Sequence, residues 1–489
     1  MKILRKIANW IYRIKKEDSG RIRMRILFFV IKYWPYKVVR NLLDKKQEFD
    51  HLQSLISQMK ERLNRVFGNK EMGAINENVE HIGSLPWVRQ FISPLYDSFT
   101  NDFVAERNEP YIREENDVKL IAYYLPQFHA IPLNDRNFGR NFTEWTNVTK
   151  ATPHFIGHHQ PQLPIDVGFY DLSTDKIMYR QIELAKKYGI YAFSFYYYWF
   201  GKNKRLLEKP IFNWLENKEL DFPFCLCWAN ENWSTLWDGG NREVIMEQRL
   251  TDTSATDFIE DIIVFLKDPR YIKINGAPLL TIYRPTLFTK DQFIAFADEL
   301  QEEAKKHGFP RLHLLVTNAC QQPGVPLNCT EWHVDGIAEF PPHGLFREDL
   351  IDHETHFIQQ NKLTPLNIAK YVREKMYLNE PLPEGGKRYK GVFPSWDNTA
   401  RKAQSNGVVF THSSPEVYGS WLSGCMEYTQ KNLLKEEQFV FINAWNEWAE
   451  GTHLEPDRRY GYAYLQKTLD VIMQHRINEY EKAPAKKDC

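Results

Sequence analysis

The chain has 489 residues, of which 43% are hydrophobic and 26% charged, and its formal net charge is zero. That length exceeds one ordinary domain, and the neutral balance excludes a chain built as a whole to bind nucleic acid. Six cysteines without CxxC pairs or His/Cys ligand spacing exclude a zinc framework and a disulfide scaffold.

Residues 1–70 differ from the rest. Between Met1 and Lys46 there are 14 lysines and arginines against three acids, interleaved with Ile3, Leu4, Ile7, Trp10, Ile11 and Trp34. The apolar run Ile26–Ile31 is too short to span a bilayer, so the segment reads either as one that lies on an anionic membrane surface or as a solvated helix that docks on the barrel or a partner. Phe49, Leu52, Ile56, Met59, Leu63 and Val66 follow at heptad spacing, which predicts a short coiled coil able to self-associate or to pack within the chain. Residues 71–117 read as a linker or cap. No cleavable signal pattern is present at the N-terminus, and the expected location is cytoplasmic, peripheral at the inner face of the plasma membrane.

From Val118 the pattern alternates. Predicted strands are Leu120–Leu125, Tyr191–Tyr197, Phe222–Trp228, Pro278–Tyr283, Leu312–Thr317, Gly336–Phe340, Gly391–Ser395 and Phe439–Asn443. Predicted helices between them include Asp175–Tyr188, Ala255–Leu266, Lys290–His307, Asn367–Tyr377 and Pro415–Leu434. Eight strands, mostly separated by helices, predict an α/β fold, a (β/α)8 barrel over residues 118–475 with a tail at 476–489; a doubly wound sheet is the alternative, although no Gly-rich turn follows the first strand. Cys225 and Cys227 alternate with Leu226, so both should face one side of a buried strand as free thiols.

Functional groups of such a barrel collect at the C-terminal ends of its strands. Those ends offer Gln127 and His129, then Tyr198 and Trp199, then Trp228, Asn230, Glu231 and Trp233. Later ends offer Tyr283, Trp396 and Asp397, and last the run Asn443-Ala-Trp-Asn-Glu-Trp-Ala-Glu-Gly-Thr452. In that run Glu447 and Glu450 stand three apart between indoles. Carboxyl pairs are the usual machinery of glycoside chemistry, and aromatic faces suit the C–H faces of sugars. On a turn, side chains three apart share a face, so Glu450 must have left the strand. A helix cap or a salt-bridge partner is the plainer role for either glutamate. No GxxxxGK[ST] loop, GxSxG elbow or strand-end DxD is present, and His158-His159 make poor metal partners. No metal and no cofactor are expected.

Several long blocks carry a resemblance. They are Ala122–His129, Phe142–Val148, Gly157–Pro164, Phe193–Trp199, Cys227–Trp233, Trp396–Arg401 and Ala444–Thr452. Together, from about Lys119 to Tyr464, they resemble the WbsX-type family of bacterial surface-polysaccharide loci, itself similar to family 99 glycoside hydrolases of the endo-α-mannosidase type. The resemblance implies a retaining route in which Glu447 assists attack of the substrate's own 2-hydroxyl on C1. Glu450 would then be the general acid and base. The blocks also bring Tyr124, Glu144, Trp145, Trp445 and Asn446 into the candidate substrate-binding set. The implied substrate is an oligosaccharide or lipid-linked glycan. Alternatives from other classes are a transferase using an activated sugar donor and a non-catalytic glycan-binding scaffold.

Overall fold

A computed structural model describes residues 102–482, apart from 156, 236–242, 320–326, 354–362, 380–381 and 403–406. The basic segment 1–46, the heptads at 49–66 and most of the linker therefore lie outside the described residues. Among the described residues, nine parallel strands form the main path of one sheet: β1 (Lys119–Tyr124), β2 (Ile190–Trp199), β3 (Phe224–Trp228), β4 (Ala277–Ile282), β5 (His313–Thr317), β6 (Gly336–Ala338), β7 (Lys387–Tyr389), β8 (Gly391–Val392) and β9 (Phe439–Ile442). β1 to β6 pair in chain order, and β9 returns to pair with β1. β7 pairs with β6, β8 pairs with β9, and only Lys390 separates β7 from β8. The two short strands are thus one interrupted seventh strand, and it closes the barrel. The predicted seventh strand, Gly391–Ser395, began too late and ran too far.

These segments form strands because they are rich in aromatic and branched residues and buried on both faces, as parallel strands between helices must be. Their alternation sorts two layers. In β2, Phe193 and Phe195 pack on Trp214 of the helix Lys209–Glu216, and Trp199 packs on Phe258 of the helix Ala255–Leu266. Ser194, Tyr196 and Tyr198 face the other way, into the barrel, where Tyr196 stacks on Tyr123 of β1. Cys225 and Cys227 sit in register with Ser194 and Tyr196, both buried as free thiols.

Of the predicted helices, Ala255–Leu266 appears with its expected bounds and the others with altered ends. Lys290–Lys306 starts from Thr289, whose hydroxyl accepts from Gln292 N–H, and Pro415–Asn432 starts from Ser414, whose hydroxyl accepts from Val417 N–H. Asn367–Tyr377 resolves into the helix Ile368–Arg373 and a 3-10 turn, Met376–Leu378. The last helix, Ala463–Lys482, runs on past residue 475. Its Arg476 donates to Asp117 and Glu114, which ties residues 114–117 to the barrel. No described helix is long and apolar enough to cross a membrane.

Candidate active site

After β9 the chain makes a tight hairpin. Asn446–Glu447 pairs antiparallel with Thr452–His453, and a 3-10 turn, Trp448–Glu450, joins the two arms. The turn ends at Gly451, whose φ of +61° is left-handed and whose Cβ, if present, would lie 2.8 Å from Asp397 Cβ. Close approach there is needed because Asp397 N–H donates to Glu450 O at 2.7 Å and Ser395 Oγ to Gly451 O at 2.6 Å. The loops after β8 and β9 are thereby locked together. Glu450 has left the strand, as the spacing required.

The loop after β8 contributes a cation. Asp397 caps a 3-10 turn, Asn398–Ala400, by accepting from Thr399 N–H at 3.0 Å, and Arg401 follows directly. Arg401 Nη1 donates to Glu450 Oε1 at 2.6 Å, Nη2 to Glu447 Oε2 at 3.0 Å, and Nε to Glu144 Oε2 at 3.2 Å. Glu144 begins the short helix Glu144–Lys150 in the crossover after β1. The side chains of Arg401, Glu144 and Glu447 are 4%, 1% and 6% exposed, against 19% for Glu450. One guanidinium therefore faces three carboxylates in a nearly dry site, too few positive charges for all three to ionise. Burial pushes Glu447 up to about 8, against the pull of Arg401 and with the push of Glu450 and Glu144. Burial raises Glu144 as well. For Arg401 burial disfavours charge, but Glu144, Glu450 and Glu447 outweigh it and keep the guanidinium protonated.

Asp397 is fully occupied behind this cluster. Its Oδ2 accepts from His158 Nε2 at 2.6 Å and Gln160 Nε2 at 2.7 Å, and its Oδ1 accepts from Thr399 Oγ1 at 2.6 Å. His154 N–H donates to His158 Nδ1, which places the His158 proton on Nε2, facing Asp397. Burial would raise Asp397, yet His158 and Thr399 hold it below the usual carboxylate range. Asp397 thus positions the Arg401 turn.

Other expected residues fall into three places. Beside Glu447 lies Tyr198, whose hydroxyl burial and the Glu447 charge push well up, with Gln127 donating to it at 3.0 Å and Trp233 edge-on to its ring. Around the mouth, Glu231 pairs with Arg284, Asn230 bonds the Arg284 backbone, and Tyr283 Oη meets His343 Nε2 at 3.1 Å. Behind the hairpin, Asn446 bonds both Leu125 N–H and O, Trp145 Nε1 donates to Tyr170 O, and Tyr124 Oη donates to Gln181. Trp445 is buried there as well, its indole N–H bonded to Glu455. His129 holds its own turn through Pro126 O, and Trp396 is 7% exposed beside Phe393.

Trp199 and Trp228 correct an expectation. Both are fully buried, packed on Phe258 outside the barrel, with Trp228 also against Phe296. Strand alternation turns them and Tyr124 to the helix layer, where they cannot stack on a sugar. Arg401, which closes the Trp396–Arg401 block, and Gln160 and Glu455 stand in the site without having been singled out from the sequence, and His158, weighed there only as a metal ligand, instead holds Asp397. Among the described residues no group of three or more His, Cys, Asp or Glu could hold a metal ion.

A family model described as Glycosyltransferase WbsX matches residues 120–468. The protein WxcX of Xanthomonas campestris pv. campestris is 38% identical over 359 residues, and its counterpart in a second strain is 37% identical over 357. Each match takes in 72% of this chain, but the chain spans only about half the length of these relatives (49%). Among solved structures, a glycoside hydrolase-like protein is 12% identical with a TM-score of 0.47, covering 76% of this chain and 98% of that one. A GH99 endo-alpha-mannosidase from Bacteroides thetaiotaomicron is 13% identical with a TM-score of 0.45, covering 76% and 99%. By the extent of the family match, the chain belongs to the glycosyltransferase WbsX family.

Proposed function

We propose that this chain cleaves or transfers glycosidic bonds with retention of anomeric configuration, in the assembly of a bacterial surface polysaccharide, through Glu447 and Glu450. The observation that carries the reading is the gathering of Glu144, Glu447 and Glu450 on one buried guanidinium beyond the C-terminal end of β9. In the scheme, Glu447 takes the proton of the substrate's 2-hydroxyl as that oxygen bonds to C1. The bond from C1 to the leaving oxygen breaks, and that oxygen takes its proton from Glu450. Glu450 then removes a proton from water or an acceptor hydroxyl, which opens the three-membered ring at C1, and Glu447 returns its proton to the 2-oxygen. Substrate participation of this kind is a recognised exception to the two-carboxylate scheme.

The pair needs one proton between its members. Burial holds a proton on Glu447 at neutral pH in the free site. The scheme requires that proton to pass to the leaving-group side once the glycan is bound. The glycan partner is oligosaccharide or lipid-linked, met at an anionic membrane surface through the basic residues 1–46, with self-association through residues 49–66. The anomeric proton of the first-formed product, followed by NMR, tests the scheme: retention is expected, and inversion overturns it. The family's description favours a second reading, transfer from an activated sugar donor. A nucleotide sugar that raises the melting temperature would support that reading.

A further inference from the structure

A buried carboxylate behind the hairpin takes no part in the acid–base scheme. Glu455 is 1% exposed. Its Oε1 accepts from Gln181 Nε2 at 2.6 Å and Trp445 Nε1 at 3.1 Å. Its Oε2 accepts from Trp448 Nε1 at 2.6 Å and Tyr170 Oη at 3.0 Å. An indole N–H can only donate, so both tryptophans are aimed by this one group. A buried carboxylate is stable only when its lone pairs are satisfied, and here all are.

The network reaches further on each side. Gln181, on the helix Lys176–Lys187, accepts from Tyr124 Oη at 2.7 Å. Tyr170 Oη also accepts from Asn446 Nδ2 at 3.0 Å, and Asn446 clips the end of β1 through Leu125. Of the run 445–448, Trp445, Asn446 and Trp448 are therefore all tied backward by their side chains. Glu447 alone is left to face Arg401. The hairpin is gripped from in front by a cation and from behind by the Glu455 carboxyl, which burial pushes up to about 7 against the pull of its four donors.

We propose that Glu455 is a positioning residue for the reaction: it sets Trp445 and Trp448, and through them the placement of Glu447 and of the turn that carries Glu450. This rests on the reading of Glu447 and Glu450 as the reacting pair. A glutamine here would turn an NH2 toward two of the four donors, and those donors would have to move. Displacements of about 1 Å near reacting groups cost on the order of 100-fold in rate.

The test compares wild type, Glu455→Gln, and the exchange Glu455→Gln with Gln181→Glu, which returns a buried carboxyl to the same network. Glu455→Gln is expected to lower kcat roughly 10- to 100-fold with KM within about twofold, and the exchange to recover about tenfold. Should Glu455→Gln fail to fold, Trp448→Phe removes a single N–H from the network and is expected to lower kcat in the same way. The indole N–H resonances of Trp445 and Trp448, read by NMR, are expected to move upfield in Glu455→Gln. Unchanged kcat with only a lowered melting temperature, or indole resonances that stay in place, would overturn the proposal. If wild type turns over no glycoside, the functional reading fails by itself, and the indole resonances still decide the role of Glu455.

Discussion

Arg401 Nη1 lies 2.6 Å from Glu450 Oε1, and this contact joins the loop after β8 to the loop after β9. The same guanidinium reaches Glu447 and Glu144, so removing it leaves three buried carboxylates without their cation. Arg401→Gln is expected to cost about 3–5 kcal/mol of stability, the range for breaking a buried ion pair from one side. The loss has a defined pH dependence. Glu447 and Glu144 have folded pKa values raised above the unfolded one, so the native state binds more protons and stability falls as pH rises from about 4.5 toward 8. Without Arg401 that fall steepens. Melting temperatures at pH 5 and pH 8 should therefore diverge more in the variant than in wild type.

In the proposed scheme the proton held on Glu447 also governs the rate. With Glu447 at about 8, the cluster keeps that proton at neutral pH and loses it above pH 8. The expected profile of kcat/KM falls on the alkaline side with an apparent pKa near 8, whichever carboxylate holds the proton at the moment of reaction. A rate that climbs through pH 8 would contradict the single-proton scheme.

Gly451→Ala tests the lock between the loops. The residue has a left-handed backbone, and a Cβ there would meet Asp397 Cβ, O and N within 2.8–3.0 Å. Strain of about 1–3 kcal/mol is expected from the backbone alone. Because Asp397 N–H bonds Glu450 O, activity should fall more than stability does. Thermal unfolding and kcat measured on the same sample check both.

Trp228→Phe separates packing from recognition. Trp228 is wedged among Trp199, Phe258 and Phe296, so the change should cost about 1–3 kcal/mol and leave KM for glycan within twofold. A large rise in KM, seen by initial-rate kinetics, would return the indole to the substrate side.

The barrel was legible because its strands are short apolar runs at regular intervals, and a parallel strand buried on both faces needs little else to be recognised. The seventh strand was misread because Lys390 is buried in the middle of it, and a lysine breaks an apolar run. Lys390 is tolerated there because its Nζ donates to Glu339 and Tyr377 O, partners far away in the chain. That Glu450 leaves the strand was legible from its spacing to Glu447. The error at Trp199 and Trp228 was one of parity: Tyr198 precedes Trp199, and only one of two adjacent strand residues can face the barrel mouth. Arg401 and Glu455 were not singled out because a lone charge in a sequence carries no mark of what it will face. Their roles emerge only when residues hundreds of positions apart, such as Gln181 and Glu455, meet.

The central claim is that Glu450 protonates the leaving oxygen while Glu447 serves the sugar's own hydroxyl. The most direct measurement is kcat/KM of wild type, Glu447→Gln and Glu450→Gln on glycosides of one sugar with poor and with activated leaving groups. Glu450→Gln should lose about 100-fold or more on poor leaving groups and recover most of it on activated ones, which need no proton, whereas Glu447→Gln should stay slow on both. Equal losses on both substrate types for Glu450→Gln, or recovery by Glu447→Gln instead, would contradict the account.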